Sequence, residues 1–226
     1  VSKKKTALII VAHPDDEVIG VGGTILKLQK DLGYDVHVAF MTTTKQNARW
    51  DQAYTVSQIL GTTISRPHFA SAGESFAPLF LDTTPKARMV SYIEELINEH
   101  EPQIVFTHHA GDNHQDHRAI AEAVMIATRP YPKQIVKRVY AFDTTSSTEW
   151  SFGEFKSFEP NVFIDITPYF NIKKEALNIY KEEILDLPRH HARSMESLEM
   201  SSSVKGSIVG FNKAETFRLI RSINIL

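Results

Sequence analysis

Two short stretches of this sequence crowd together the side chains that bind metal ions and move protons. The first is His13-Pro14-Asp15-Asp16-Glu17, three acids in succession behind a histidine and a proline. Carboxylates this close raise one another's pKa unless a cation neutralises them, and a divalent metal would do so. His13 and Asp16 are three positions apart, so on a turn entering a helix both can face one ion. Asp15, between them, aims elsewhere and is placed to take a proton from a water that the ion activates. A plain helix N-terminus, where the dipole favours acids, accounts for Asp15, Asp16 or Glu17 singly but leaves His13 without a task.

The second stretch, from Thr107 to His117, reads T-H-H-A-G-D-N-H-Q-D-H and holds four of the chain's ten histidines. His117 would complete a His-Asp-His set with His13 and Asp16 that leaves positions open for water and substrate. His114 would act as a charged donor to a developing oxyanion, with Asp116 holding its ring and keeping it protonated. The plainer reading is a solvated helix start capped by Asp112 or Asn113. It is preferred for His108 and His109, which no second spacing supports. For His114 and His117 the metal reading is preferred.

Both stretches fall where a strand signal gives way to a helix signal. Residues 6–12 form a continuous aliphatic run, the pattern of a strand buried on both faces of a parallel sheet, and a helix is expected over 17–31. Further strands are expected at 36–41, 64–69, 103–107, 138–143 and 162–166. Helices are expected at 49–60, 85–100, 115–128, 169–185, 195–203 and 214–223. Repeated strand–helix–strand units predict a three-layer α/β fold, a mainly parallel sheet with helices on both faces. Ligands sit beyond the carboxyl ends of such strands, where strand order reverses. If the strand at 103–107 lies beside the first, the two chemically dense loops face each other across that crevice. Gly20-Val21-Gly22-Gly23 lacks the spacing of a dinucleotide fingerprint and lies within the helix, so close packing on the sheet is its expected role.

Composition narrows the class. The 226 residues suit one domain, 1–226, with residues 1–5 as a loose basic leader. The Ser/Thr-rich run at 144–148 and the run at 201–203 are too short to be linkers. Lys and Arg number 25 against 27 Asp and Glu, which gives no basic excess for nucleic acid or an anionic membrane. No apolar run approaches the length of a bilayer span. There is no Cys, so any metal must be held by His, Asp or Glu, and a cytoplasmic protein is expected.

Ala12 to Glu17, A-H-P-D-D-E, followed by G-G-T at Gly22 to Thr24, resembles the opening motif of the PIG-L/LmbE family of zinc-dependent N-deacetylases. His114-Gln115-Asp116-His117 matches that family's H-x-D-H motif, and the similarity extends over most of the chain. The resemblance implies a Rossmann-like fold with zinc on His13, Asp16 and His117. It also implies Asp15 as general base and His114 in an oxyanion-stabilising or acid role modulated by Asp116. The second half is similar to a bacterial branch linked to sugar and surface-polysaccharide metabolism, through Ser147-Thr148-Glu149-Trp150, Arg193-Ser194 and Ala214-Glu215-Thr216-Phe217. Ala192, Gln52 and Asp112 depart from the family's usual residues, which bears on the substrate pocket and not on the metal set.

Three more residues are candidates for substrate contact. Arg49 would reach a sugar hydroxyl or phosphate, or else lie on a helix surface. Trp150 would offer a flat face to a sugar ring, or pack. Arg193, with His191, would close over the crevice or cover the last helices. The expected activity is hydrolytic removal of an acetyl group from an N-acetylated sugar or sugar conjugate. A metal-dependent phosphoesterase and a sugar- or metal-binding module without turnover are the rivals. Two His and one carboxylate suit Fe2+ as well as Zn2+. A homo-oligomer is implied by the resemblance alone.

Overall fold

The computed structural model describes residues 4–42, 46–66, 81–132, 134–180 and 187–223. In chain order these form β1 (Lys5–Val11), α1 (Asp16–Lys30), β2 (Tyr34–Phe40), α2 (Gln46–Leu60), β3 (Thr63–Ser65), α3 (Lys86–His100), β4 (Ile104–His108) and α4 (Gln115–Ala127). Then come β5 (Arg138–Phe142), β6 (Val162–Asp165), α5 (Phe170–Ile179), α6 (Met195–Ser207) and β7 (Ala214–Ser222). The strands make one seven-stranded sheet in the order β3-β2-β1-β4-β5-β7-β6. Neighbours from β3 through β5 pair in parallel, whereas β7 runs antiparallel to both β5 and β6.

The aliphatic run of β1 is buried on both faces because it lies at the centre of the sheet between β2 and β4. Its alternate residues feed two cores. Ala7, Ile9 and Val11 pack with residues of α1, α2, α5 and α6, while Leu8, Ile10 and Ala12 pack with residues of α3 and α4. Among the described residues, no helix is long and apolar enough to cross a membrane.

The α/β architecture and the placing of β4 beside β1 agree with the sequence expectation. Strand order reverses at β1, so the turn after β1 and the loop after β4 stand side by side at the carboxyl ends. One element differs in kind: residues 214–222 are a strand, not a helix. Ala, Glu, Arg and Leu favour a helix locally, but the segment pairs on both sides and buries Ala214 through Phe217, and that burial overrides propensity. Residues 67–69 of the expected third strand and 181–185 of the expected helix lie outside the described residues, as do 1–3 of the leader.

The glycines of α1 pack as expected. A Cβ on Gly20 would meet Phe142 at 2.3 Å and one on Gly23 would meet Ile166 at 2.6 Å, so α1 approaches its neighbours at glycine distance. A buried carboxylate fixes the helix further. Glu215 of β7 accepts the N–H groups of Gly23 and Thr24, both at 2.8 Å, and pairs with Lys173 of α5 at 2.6 Å. The same lysine donates to the Ile19 carbonyl at 2.9 Å.

Candidate functional site

The turn between β1 and α1 is strained. Asp15 has φ 121° and ψ −33°, a conformation that costs a non-glycine residue on the order of 1–3 kcal/mol and persists only when its surroundings impose it. Here the Asp15 carbonyl accepts the N–H groups of Val18 and Ile19 at 3.1 and 3.0 Å. The Asp15 N–H donates to Glu17 Oε2 at 2.9 Å, and the Tyr180 hydroxyl donates to Glu17 Oε1 at 2.7 Å. Burial pushes the Glu17 carboxyl up to about 8. The turn makes adjacent carboxylates diverge, Asp16 toward histidines and Asp15 toward arginines.

Asp16 is wholly buried, and its Oδ2 lies 3.4 Å from His13 Nδ1, 3.4 Å from His117 Nε2 and 3.5 Å from His108 Nε2. Burial alone would raise its pKa, but His117 and His108, with His13, reverse that and hold it well below the carboxylate range. Each outer histidine has a second carboxylate behind it. His13 Nε2 is 3.0 Å from Asp116 Oδ2, and His117 Nδ1 is 3.1 Å from Asp112 Oδ1. Burial disfavours charge on both rings, yet Asp116 and Asp16 raise His13 to about 8, and Asp16 with Asp112 raises His117 to about 9.

Asp15 Oδ2 lies 3.3 Å from Arg193 Nη1 and 3.6 Å from Arg49 Nη1. Burial raises its carboxyl, and the two guanidiniums oppose that shift. Arg49 also donates to the Pro14 carbonyl at 2.9 Å and is nearly buried, so it is turned into the site and not laid on a helix surface. Trp150 stands one step out and is 41% exposed. Its ring is 5.7 Å from that of His191, whose Nδ1 accepts the Arg193 N–H.

His114 caps α4, its Nδ1 accepting the Asp116 N–H at 3.2 Å. A ring that accepts at Nδ1 is neutral and carries its proton on Nε2. Burial, with His117 and His13 nearby, agrees by pushing the pKa down to about 4. Two expectations are corrected here. The His114 ring is neutral with its proton on Nε2, not charged, and the Asp116 carboxylate holds His13 and the Leu81 N–H (2.8 Å), not the His114 ring. His114 and Asp116 meet through the backbone, because the helix start points the Asp116 side chain back across the crevice.

His108 and His109 are not solvated. β4 runs to His108, which therefore shares a face with Ile104 and Phe106 and is fully buried. Its ring stacks on that of His117 with centroids 3.8 Å apart, and its Nε2 accepts the Ala12 N–H at 3.0 Å. His109 is nearly buried and its Nε2 donates to the Lys156 carbonyl at 2.7 Å.

The donor set fits a divalent ion. Ligand atoms of His13, Asp16 and His117 lie within 4.8 Å of one another. Asp16 Oδ1 is buried without a hydrogen-bond partner among the described residues, which costs free energy unless something positive meets it. His13, His114 and Asp116 also approach within 4.8 Å, but both oxygens of Asp116 already accept hydrogen bonds. The trio containing Asp16 is therefore the better cradle.

A model of the PIG-L family, described as GlcNAc-PI de-N-acetylase, matches residues 8–128. YaiS of Escherichia coli K12, named an uncharacterized deacetylase, is 29% identical over 194 residues, spanning 80% of this chain and 92% of YaiS. The N,N'-diacetylchitobiose deacetylase of Pyrococcus horikoshii superposes with a TM-score of 0.71 at 20% identity, covering 96% of this chain and 84% of its own. The 4-carboxy-2-hydroxymuconate hydratase GalB of Pseudomonas putida superposes at 0.68 and 21% identity, covering 98% and 99%. At such identities these two structures share the fold, and one fold carries both an amide hydrolysis and a hydration.

Proposed function

The chain belongs to the PIG-L family, and we propose that it is a metal-dependent N-deacetylase that releases acetate from an N-acetylated amino sugar or sugar conjugate. The observation that carries this reading is the divergence of Asp15 and Asp16 at one strained turn. It gives one carboxylate to the His13–Asp16–His117 cradle and the next to proton transfer. The names of the family and of the chitobiose deacetylase, both concerned with N-acetylated glucosamine, support the substrate class.

His13, Asp16 and His117 would hold the ion, Zn2+ by the two-nitrogen, one-oxygen donor set, with Fe2+ the alternative. When bound it would supply Lewis acidity, making a water acidic near neutral pH and drawing charge from the amide oxygen. Asp15 takes the proton of the attacking water; burial raises its affinity for that proton, and Arg193 and Arg49 offset part of the rise. His114 donates from Nε2 to the oxygen that gains negative charge at the tetrahedral stage. The amine leaves with the proton that Asp15 received, since a neutral His114 that gave up its Nε2 proton would be left as an imidazolate. Trp150, partly exposed, and Arg193, beside Asp15, are the side chains that would meet the sugar.

The deciding experiment measures acetate release from free, nucleotide-linked and lipid-linked N-acetyl sugars, with zinc-loaded protein beside Asp15→Asn. Release by the wild type alone supports the reading. Silence across the panel with zinc bound removes it. The hydratase neighbour makes addition of water to an unsaturated carboxylate the next reaction to assay.

A further inference from the structure

We propose that Asp112, clamped by the hydroxyl-rich turn 144–148, is a positioning residue that fixes which nitrogen of His117 faces the metal cradle. The inference rests on the reading of His117 as a ligand. The turn is the Ser/Thr run that is too short for a linker, and the structure shows what it touches.

Asp112 is fully buried and surrounded by donors. The His114 N–H donates to its Oδ1 at 2.7 Å, and a backbone N–H can only donate. Ser147 Oγ donates to the same oxygen. Thr148 Oγ1 accepts the Thr144 N–H at 2.8 Å, so its own proton is directed to Asp112 Oδ2 at 2.5 Å. A carboxylate satisfied in this way is ionised and acts only as an acceptor. The fourth neighbour, His117 Nδ1, lies 3.1 Å from Oδ1, in ion-pair contact but outside hydrogen-bond geometry, and a lone pair so close to an anion would be repelled, so this nitrogen carries a proton. In the neutral ring that leaves the lone pair on Nε2, the nitrogen that faces Asp16 Oδ2 at 3.4 Å. Either a second ring proton or a metal ion between these two atoms satisfies both, and the ion replaces that proton when it binds.

The same turn controls the ring's face. Thr144 Oγ1 pairs with His108 Nδ1 at 3.1 Å, and His108 lies almost flat on His117, with an interplanar angle of 9°. The Asn113 N–H donates to the Ser147 carbonyl at 3.3 Å, which ties the ligand loop to the turn. His117 is thus held at its edge by Asp112 and across its face by His108, and both partners are set by residues 144–148. A carboxylate behind a ligating histidine typically changes metal affinity by about 10–100-fold. An amide at the same place can turn its NH2 toward Nδ1 and favour the tautomer that protonates Nε2, the nitrogen needed for the ion.

The test titrates metal-stripped wild type, Asp112→Asn, Thr148→Val and Thr148→Ser with Zn2+ against a competing chelator. It also follows the Nδ1–H resonance of His117 in the zinc-loaded proteins. Asp112→Asn is expected to bind zinc about 10–100-fold more weakly and to shift or lose that resonance. Thr148→Val is expected to weaken binding by a smaller factor, with Thr148→Ser restoring it. Unchanged affinity in Asp112→Asn overturns the inference, and so does weaker binding with an unmoved resonance, which would mark general softening. Should Asp112→Asn not fold, the Thr148 pair decides, and equal affinity for Val and Ser overturns it. A wild type that takes up no zinc overturns the metal reading itself, and this inference with it.

Discussion

Asp15 and Asp16 are chemically identical neighbours that the backbone sends to different tasks, and substitution should separate them. Asp15→Asn is expected to keep its metal content and lose turnover by about 10²–10⁴-fold, the usual contribution of a positioned base. Metal analysis beside acetate release checks this, and near-normal rates would end the assignment of Asp15 as base. His117→Ala should instead lose the ion, because it removes one of three donors and leaves Asp16 Oδ1 still without a partner. Zinc retained at wild-type affinity would show that the ligand set lies elsewhere. The trio was legible in the sequence because His13 and Asp16 share one turn and His117 follows a second buried strand. In the sequence Asp112 reads as a helix cap or as a departure in the substrate pocket, since a carboxylate two residues before His114 does not announce that its neighbour is His117. His108 reads as solvated in the sequence and is buried in the fold, because one residue of strand decides between the two.

α1 carries the site at its start and is anchored near its middle. Gly23→Ala places a methyl group 2.6 Å from Ile166, and overpacking of this kind costs about 1–3 kcal/mol. A denaturation midpoint equal to wild type would show that the helix can shift away at no cost. The anchor pair makes a sharper case. Lys173 and Glu215 are both buried, so Glu215→Ala strands an ammonium and is expected to destabilise the protein by about 3–5 kcal/mol. The double change to Lys173→Met and Glu215→Leu should recover most of that loss in urea unfolding. Failure to recover would mean that the Gly23 and Thr24 N–H groups, not the lysine, are what need the carboxylate. The close packing at the glycines is legible in the sequence, but the anchor is not. Residues 214–222 carry helix-forming side chains, and only pairing between β5 and β6 makes them a strand that delivers Glu215 to α1.

Stability of the folded chain should carry a signature of His37, far from the site. Its ring is buried, stacks on His100 at 3.8 Å, and bonds Thr63 and Ser65 hydroxyls at 2.8 and 2.7 Å. Burial, with His100 beside it, lowers its pKa to about 4 from 6.5. The unfolded chain then takes up a proton that the folded one refuses. The contribution of His37 is full above pH 6.5 and is lost, by up to about 3 kcal/mol, as pH drops toward 4. His37→Gln should flatten that part of the curve of unfolding free energy against pH, and parallel curves would show that His37 is not held neutral. The alternation of strand and helix, the burial of β1 and the grouping of His13, Asp16 and His117 could all be read along the chain, because period, run length and residue type are local properties. Which carboxylate stands behind which histidine, how Arg49 and Arg193 meet Asp15, and the direction of β7 could not. Those depend on contacts between residues up to 178 positions apart, such as Asp15 and Arg193, and such partners meet only when the sheet order brings their elements together.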